Sequence, residues 1–329
     1  MDDPRVASVG AEHTVVAGAT AAGERVDVFL VGALVAQLGA AAGVTRSQVQ
    51  RMLRQGLVRD GDGDVVSRAS SRVRAGQVLQ VRLPPPEISA ATPESIQLDI
   101  VYEDAYLVVV NKPRGMVVHP AAGHASGTLV NALLAHCPEL ATESGDLLRP
   151  GIVHRLDRDT TGLIVAAKDA TTRLAMQEII KKRHFAKTYL ALVRGVPTAD
   201  RGEVAGNIGR SAKDRKRMAV LTEGGRAALT RWRTLGAGRG FALLEVKPHT
   251  GRTHQIRVHM AHIGHPVAGD PIYGPRKAAT PGGLVGQALH AWRLEFAHPR
   301  TGVALVLRAP LPQDMRQALD QLGIVAPGA

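Results

Sequence analysis

Three consecutive prolines, Pro84-Pro85-Pro86, with Pro93 soon after, constrain this chain more than any other stretch. Proline lacks a backbone N–H, fixes its own φ and pushes the preceding residue into extended backbone, so neither a helix nor a sheet continues through such a run. The chain is therefore expected to fold as two units joined by a semi-rigid linker. The expected layout is a flexible leader over 1–23, a small αβ unit over 24–83, the linker over 84–96 and a large unit over 97–329. With 329 residues, 45% of them hydrophobic, both units have enough apolar side chain for a core.

Met1 to Glu24 opens with Asp2 and Asp3 and has no cationic segment leading into an apolar one, so it reads as a leader and not as a signal peptide. No run approaches the ~18 apolar residues of a membrane span. A single cysteine, Cys137, excludes an intramolecular disulfide and a thiolate metal cluster. The default is a soluble, cytoplasmic monomer. Lysine plus arginine number 41 against 29 acids, a net charge of +12, and 32 of the 41 cations are arginine. Arginine binds phosphate through planar, bidentate contacts, so a polyanionic partner is expected. Only ten residues are aromatic, which disfavours a platform that stacks many bases.

In the small unit, Thr45-Arg46-Ser47-Gln48 has the form of a capping box. The helix it starts turns Val49, Met52 and Leu53 inward, ends at Gly56, and leaves Arg46, Arg51 and Arg54 as candidate RNA contacts on its outer surface. Leu57-Val58-Arg59, the acidic turn Asp60 to Asp64 and Val65-Val66 read as strand, turn and strand, and Gln77 to Leu83 closes the unit. These residues, with Arg25 to Leu30, resemble the S4-type RNA-binding domain. That family has Val-Asn-Gly at the turn, where this chain has an acidic insertion.

The large unit reads as many strands with few helices, hence an α+β domain with a mixed, mostly antiparallel sheet. Strand-like runs are Leu98 to Tyr102, Tyr106 to Asn111, Ile152 to His154, Leu163 to Ala167, Thr188 to Val193, Ala242 to Val246 and Val303 to Leu307. The unbroken Leu107-Val108-Val109-Val110 predicts burial on both faces. A helix runs from Ala170 to about Arg183, capped by Asp169.

Three segments bear chemistry. Gly151 to Ala166 sets a polar turn, His154-Arg155-Leu156-Asp157-Arg158-Asp159-Thr160-Thr161-Gly162, between apolar runs that hold it rigidly. Arg155 and Arg158 flank Asp157, which suits either a catalytic carboxylate or an ordinary ion-paired hairpin. Phe185 to Val193 alternates, placing Lys187, Tyr189 and Ala191 on one face. Val246 to Ala261 is rich in His and Arg; His259, His262 and His265 raise a metal site, which Arg252 and Arg257 oppose by charge.

The turn resembles the His-Arg-Leu-Asp-x-x-Thr-Ser-Gly signature of the large-subunit ribosomal RNA pseudouridine synthases of the RluA/RluD type, with Thr161 in place of serine. Lys112-Pro113-Arg114-Gly115-Met116-Val117-Val118-His119-Pro120, Lys187-x-Tyr189-x-Ala191 and Thr250-Gly251-Arg252-Thr253-His254-Gln255-Ile256-Arg257-Val258-His259 look like that family's other motifs, in order. Gly269 to Gly274, His290-Ala291 and His298-Pro299 fit its C-terminal region. The resemblance implies an isomerase that breaks the N1–C1′ bond of a uridine in RNA and rejoins the base through C5, with neither metal nor organic cofactor. It implies Asp157 as the catalytic carboxylate, Tyr189 as the stacking residue and Arg257 as the partner of Asp157. Arg155 would fill the space left by a flipped base or hold a phosphate, and His119 and Arg252 would contact the RNA backbone. Large-subunit rRNA is the expected partner, with tRNA the alternative. A metal-dependent RNA hydrolase and an inactive RNA-binding assembly factor are the rival classes.

Overall fold

A computed structural model describes residues 12–38, 44, 46–83, 91–120, 126–143, 150–211, 214, 217–275 and 280–328. The expected cap Thr45 and the prolines of the linker lie outside these. The chain divides into two compact units, Met1–Ser89 and Ala90–Ala329.

In the first unit, strands β1 (Glu12–Val16), β2 (Val58–Asp60) and β3 (Val78–Arg82) form an antiparallel sheet in the order β1-β3-β2. Helices α1 (Val26–Leu38) and α2 (Arg46–Arg54) pack against it through Leu30, Leu34, Val49, Met52 and Leu53. Gly56 follows α2 at φ +70°, the left-handed turn expected of it. The structure corrects the leader at its C-terminal end. Residues 12–16 are a strand because Glu12 to Val16 pair with Arg82 to Val78, and Val15 enters the core. The acidic turn is self-contained: the Asp60 carboxylate accepts the backbone N–H groups of Asp62 and Asp64.

Asp27, fully buried in the first turn of α1, ties the unit together. Its carboxylate accepts Arg25 Nε at 3.0 Å, Arg46 Nε at 2.8 Å and Gln50 Nε2 at 2.7 Å. The bond from Arg25 outweighs burial and, with those from Arg46 and Gln50, holds this carboxyl well below the usual range.

The second unit is built on a ten-stranded sheet. Its strands are β4 (Ile100–Glu103), β5 (Leu107–Lys112), β6 (Thr161–Ala167), β7 (Ala186–Arg194), β8 (Arg201–Arg210), β9 (Met218–Leu221), β10 (Arg226–Gly238), β11 (Phe241–Pro248), β12 (Leu289–Ala297) and β13 (Ala304–Arg308). The order is β4-β5-β6-β12-β7-β11-β10-β8-β9, with β13 on β12; β6 and β12 pair in parallel and the other pairs are antiparallel. The helices are α3 (Leu129–His136), α4 (Leu140–Glu143), α5 (Ala170–Lys181), α6 (Gln255–His262) and α7 (Gln313–Leu322). This is the mixed, mostly antiparallel α+β class expected, with more helix than the sequence reading assigned.

Strand alternation builds the layers. Val108, Val110, Ile164, Ala166, Tyr189 and Ala191 face a core shared with α3 and with Ile256 and Met260 of α6. Leu107, Val109, Leu163 and Val165 pack with Met176 of α5, and Leu190 and Leu192 with Met315, Leu319 and Leu322 of α7. The four residues of the apolar run in β5 are each at most 1% exposed.

Two expectations change. Residues 91–96 of the linker belong to this unit: Asn131 Nδ2 donates to the Thr92 carbonyl, and the Glu94 N–H to the Asn131 carbonyl. Ile152 to His154 is no strand, making one bridge, Ile152 to Ala166. The Val165 N–H donates to His154 Nε2 at 3.0 Å, so a side chain takes the place of a strand partner. Among the described residues no helix is long and apolar enough to cross a membrane.

Replacing Asp27 with Ala is expected to lower the stability of the first unit by about 1–3 kcal/mol at neutral pH, because Arg25 and Arg46 lose a buried acceptor. The carboxyl titrates below its ordinary 3.8, so its contribution is complete above that pH and disappears as the solution is acidified. Urea denaturation of both proteins at pH 7 and at pH 3 reads the gap and its narrowing.

Candidate active site

The 154–161 turn is held from below by buried cations. Lys112, at 0% exposure, donates from Nζ to the carbonyls of Pro113, Met116 and Arg158 at 2.8–2.9 Å. Burial pushes this ammonium down to about 7, against the pull of Asp159 and Asp157. Arg114 Nη1 donates to the carbonyls of Asp159 and Gln287. The hydroxyls are also engaged: Gln287 Nε2 donates to Thr160 Oγ1, and Thr161 Oγ1 bonds His290 Nδ1 at 2.8 Å. Gly162 closes the turn at φ +104°, and a Cβ there would lie 2.3 Å from the Ala291 carbonyl oxygen, so only glycine allows β6 to meet β12. Leu156 is buried in the core beneath. A turn fixed at both carbonyls and hydroxyls presents Asp157 as a rigid carboxylate.

From the opposite side α6 supplies Arg257. Gln255 ties the start of this helix to β10 by donating to the Leu229 carbonyl and Thr230 Oγ1, while its own carbonyl accepts from Thr250 Oγ1 and the Arg252 N–H. Arg257, 3% exposed, donates Nη1 to Asp157 Oδ2 at 2.9 Å and holds Asp270 with Nε and Nη2 at 2.7 and 2.8 Å. Burial favours loss of the guanidinium proton, but the bonds and charges of Asp270 and Asp157 prevail and raise it above its ordinary value. Burial likewise disfavours the Asp270 carboxylate, yet Arg257 and the N–H groups of Ile272 and Tyr273 pull it below the usual range.

His254 precedes α6 in the left-handed region at φ 55°, a costly position for a residue with a Cβ. The Tyr273 hydroxyl accepts the Met218 N–H and bonds His254 Nδ1 at 2.9 Å, and His254 Nε2 lies 4.0 Å from Asp157 Oδ2. Burial lowers the pKa of this ring despite the carboxylate opposite.

Asp157, Tyr189, Arg257, Arg155 and Arg252 line one cleft. Tyr189, 7% exposed on β7, has its hydroxyl pKa raised by burial and by Asp157. Arg155 is exposed at the rim, and Arg252 donates Nε to the Ala227 carbonyl. His119 lies in the loop after β5 and is not part of the cleft lining. Arg46, Arg51 and Arg54 are all exposed on α2, Arg46 with its Nε also bound to Asp27. His259 bonds Thr230 Oγ1, His265 bonds the Arg194 carbonyl and His262 is exposed, so the three rings do not converge. Among the described residues the trio of ligand atoms within 4.8 Å is Glu103, His136 and Cys137, where Lys168 Nζ already stands 2.6 Å from Glu103. Asp270, Lys112 and His254 fall in segments quoted for the family resemblance but were given no role in the site from sequence. An aspartate before proline is a turn signal that marks Asp270, but nothing local links it to a residue 13 positions away.

The family of RNA pseudouridylate synthases matches residues 106–262, which take in the turn, Tyr189 and Arg257. An uncharacterized RNA pseudouridine synthase of Chloroflexus aurantiacus is 48% identical over 312 residues, 94% of either chain. The ribosomal large subunit pseudouridine synthase D of Pseudomonas aeruginosa is 43% identical over 283 residues, 81% of this chain and 86% of the relative. Of solved structures, human RNA pseudouridylate synthase domain containing 4 superposes with a TM-score of 0.55 at 27% identity, over 70% of this chain and 94% of its own. With relatives of that identity along more than four fifths of its length, this chain belongs to the RNA pseudouridine synthases of the RluA/RluD type.

Proposed function

We propose that this enzyme isomerises uridines of large-subunit ribosomal RNA in the cytoplasm, as a monomer, with Asp157 as its catalytic carboxylate. One observation carries the assignment of Asp157: its Oδ2 receives Arg257 Nη1 at 2.9 Å while buried Asp270 fixes the far side of that guanidinium. A uridine stacked in a helix is out of reach, so the base must flip into the cleft. There Tyr189 stacks on the uracil, and Arg155 at the rim holds the displaced strand. Asp157 then adds to C1′ or takes the C2′ proton; either step releases the base, which turns and rejoins through C5. Arg257 aims the carboxylate and spreads its charge through a water-poor pocket. The choice of rRNA rests on the relative whose name carries a large-subunit activity.

The first unit reads as an S4-type RNA-binding domain. Its sheet, the exposed Arg51 and Arg54 of α2 and the resemblance of its sequence support this.

Asp157→Asn is expected to abolish pseudouridine formation on a large-subunit rRNA transcript while RNA affinity stays within about twofold; measurable turnover by this variant removes the assignment. Pseudouridine mapping of rRNA and tRNA from cells with and without the gene should show the lost sites in large-subunit rRNA, and losses confined to tRNA would redirect the substrate. The double change Arg51→Ala/Arg54→Ala should weaken RNA binding and reduce the slope of log K against log salt by about 2, one for each lost phosphate contact. An unchanged slope would leave α2 without a role in RNA binding.

A further inference from the structure

Lys187 sits in the cleft with no counter-ion. It lies on β7 two residues before Tyr189, and alternation turns both side chains to the face covered by α6. Asp157 is the sole carboxylate of the cleft lining, and Arg257 already engages it. The structure gives the Lys187 ammonium no hydrogen bond and no ion pair to a described residue, and burial alone lowers its pKa, with no acid to offset it. A partly buried cation is costly unless paired. The other buried or half-buried cations of this region are engaged, Arg257 by two carboxylates, Arg252 by a backbone carbonyl and Lys112 by three, while Arg155 stands exposed at the rim. Lys187 is therefore a donor kept available for whatever enters the cleft.

The reaction supplies the missing charge. When the N1–C1′ bond breaks, its electron pair leaves with the uracil, and the negative charge spreads over N1, O2 and O4. When C5 attacks C1′ the C5=C6 pair forms the new bond while the N1 pair closes N1=C6, and the ring is restored as the C5 proton passes to solvent and N1 takes one from it. The turn of the base exchanges N1 with C5 about the axis through N3 and C6, so it also exchanges O2 with O4. One fixed donor beside the ring thus meets a carbonyl oxygen before and after the turn.

We propose that Lys187 is a catalytic residue that binds the carbonyl edge of the flipped uracil and stabilises the uracil anion through both halves of the isomerisation. Its place beside Tyr189 suits this: a ring stacked on the tyrosine has its edge within reach of a side chain two residues along the same strand face. Its Nζ lies beside Gly251, in the loop that lines the cleft ahead of α6. The role is a leaving-group one, and an ammonium devoted to a phosphate would affect binding instead.

This inference rests on the cleft being the uridine site, so the test first requires the wild-type protein to form pseudouridine on a large-subunit rRNA transcript. Failure there removes the functional reading; success leaves Lys187 to be judged separately. Lys187→Met, which keeps the length and removes the charge, should lower the single-turnover rate at saturating enzyme about 10²-fold, the range for loss of one donor to developing charge. RNA affinity by filter binding should change less than about twofold. The melting temperature should hold or rise, since an unpaired cation is removed. On a transcript carrying 5-fluorouridine, whose base is a more acidic leaving group, consumption of the target nucleoside should show a defect at least tenfold smaller. A rate within threefold of wild type, a loss of affinity that accounts for the loss of rate, or an equal defect on 5-fluorouridine would each overturn the proposal. So would a fall in melting temperature large enough to unfold the variant under assay conditions.

Discussion

One guanidinium holds the catalytic half of this protein in place. Arg257 is buried, and a cation in that position without partners would cost several kcal/mol. It has two partners from distant parts of the chain, Asp157 at 100 residues' separation and Asp270 at 13. Two carboxylates share one cation, so the cluster carries a net negative charge inside the protein. The N–H groups of Ile272 and Tyr273 on Asp270 moderate this excess. Asp270 is the inner, fully satisfied member. Asp157 lines the cleft and is partly exposed there. The unequal division makes one of two like groups structural and leaves the other open to the cleft.

The same logic runs through the turn behind Asp157. Carbonyls that a tight polar turn would otherwise leave without N–H partners are met by Lys112 and Arg114, and its hydroxyls by Gln287 and His290. Lys112 and Arg114 come from the end of β5, whose apolar run is sealed on both faces. The sheet core thereby fixes where the cations stand, and the cations fix the turn. Stability and positioning are one set of contacts here, and damage to the core at β5 reaches Asp157 through two bonded side chains.

Much of this was legible in the sequence. Alternation in Lys187-x-Tyr189-x-Ala191 correctly assigned strand faces, and the unbroken apolar run of β5 correctly announced a doubly covered strand. The turn from His154 to Gly162 carried its own signal because glycine, threonine and charged residues crowd a short stretch between apolar ones. What escaped was long-range. Asp270 stood in a segment that resembled the family, but its bond to Arg257 forms only as α6 folds against it, and the tie of the exposed Arg46 to Asp27, 19 residues back, leaves no local trace. Ile152 to His154 misled for a subtler reason: its apolar pattern suits a strand, but the His154 ring competes with backbone for the Val165 N–H and wins. Helices α3, α6 and α7 were passed over as well, since short helices resting on a large sheet take much of their stability from tertiary contact.

Strand β7 is paired on both edges, by β11 and β12, and its two faces serve different ends. Lys187 and Tyr189 look toward the cleft, while Leu190 and Leu192 fill the core under α7. Inserting or deleting a single residue would exchange these faces, drawing the tyrosine into the hydrophobic layer and pushing leucine into the site. The strand is therefore closed to length variation, and a shift toward a different uridine has to be written in the loops that rim the cleft.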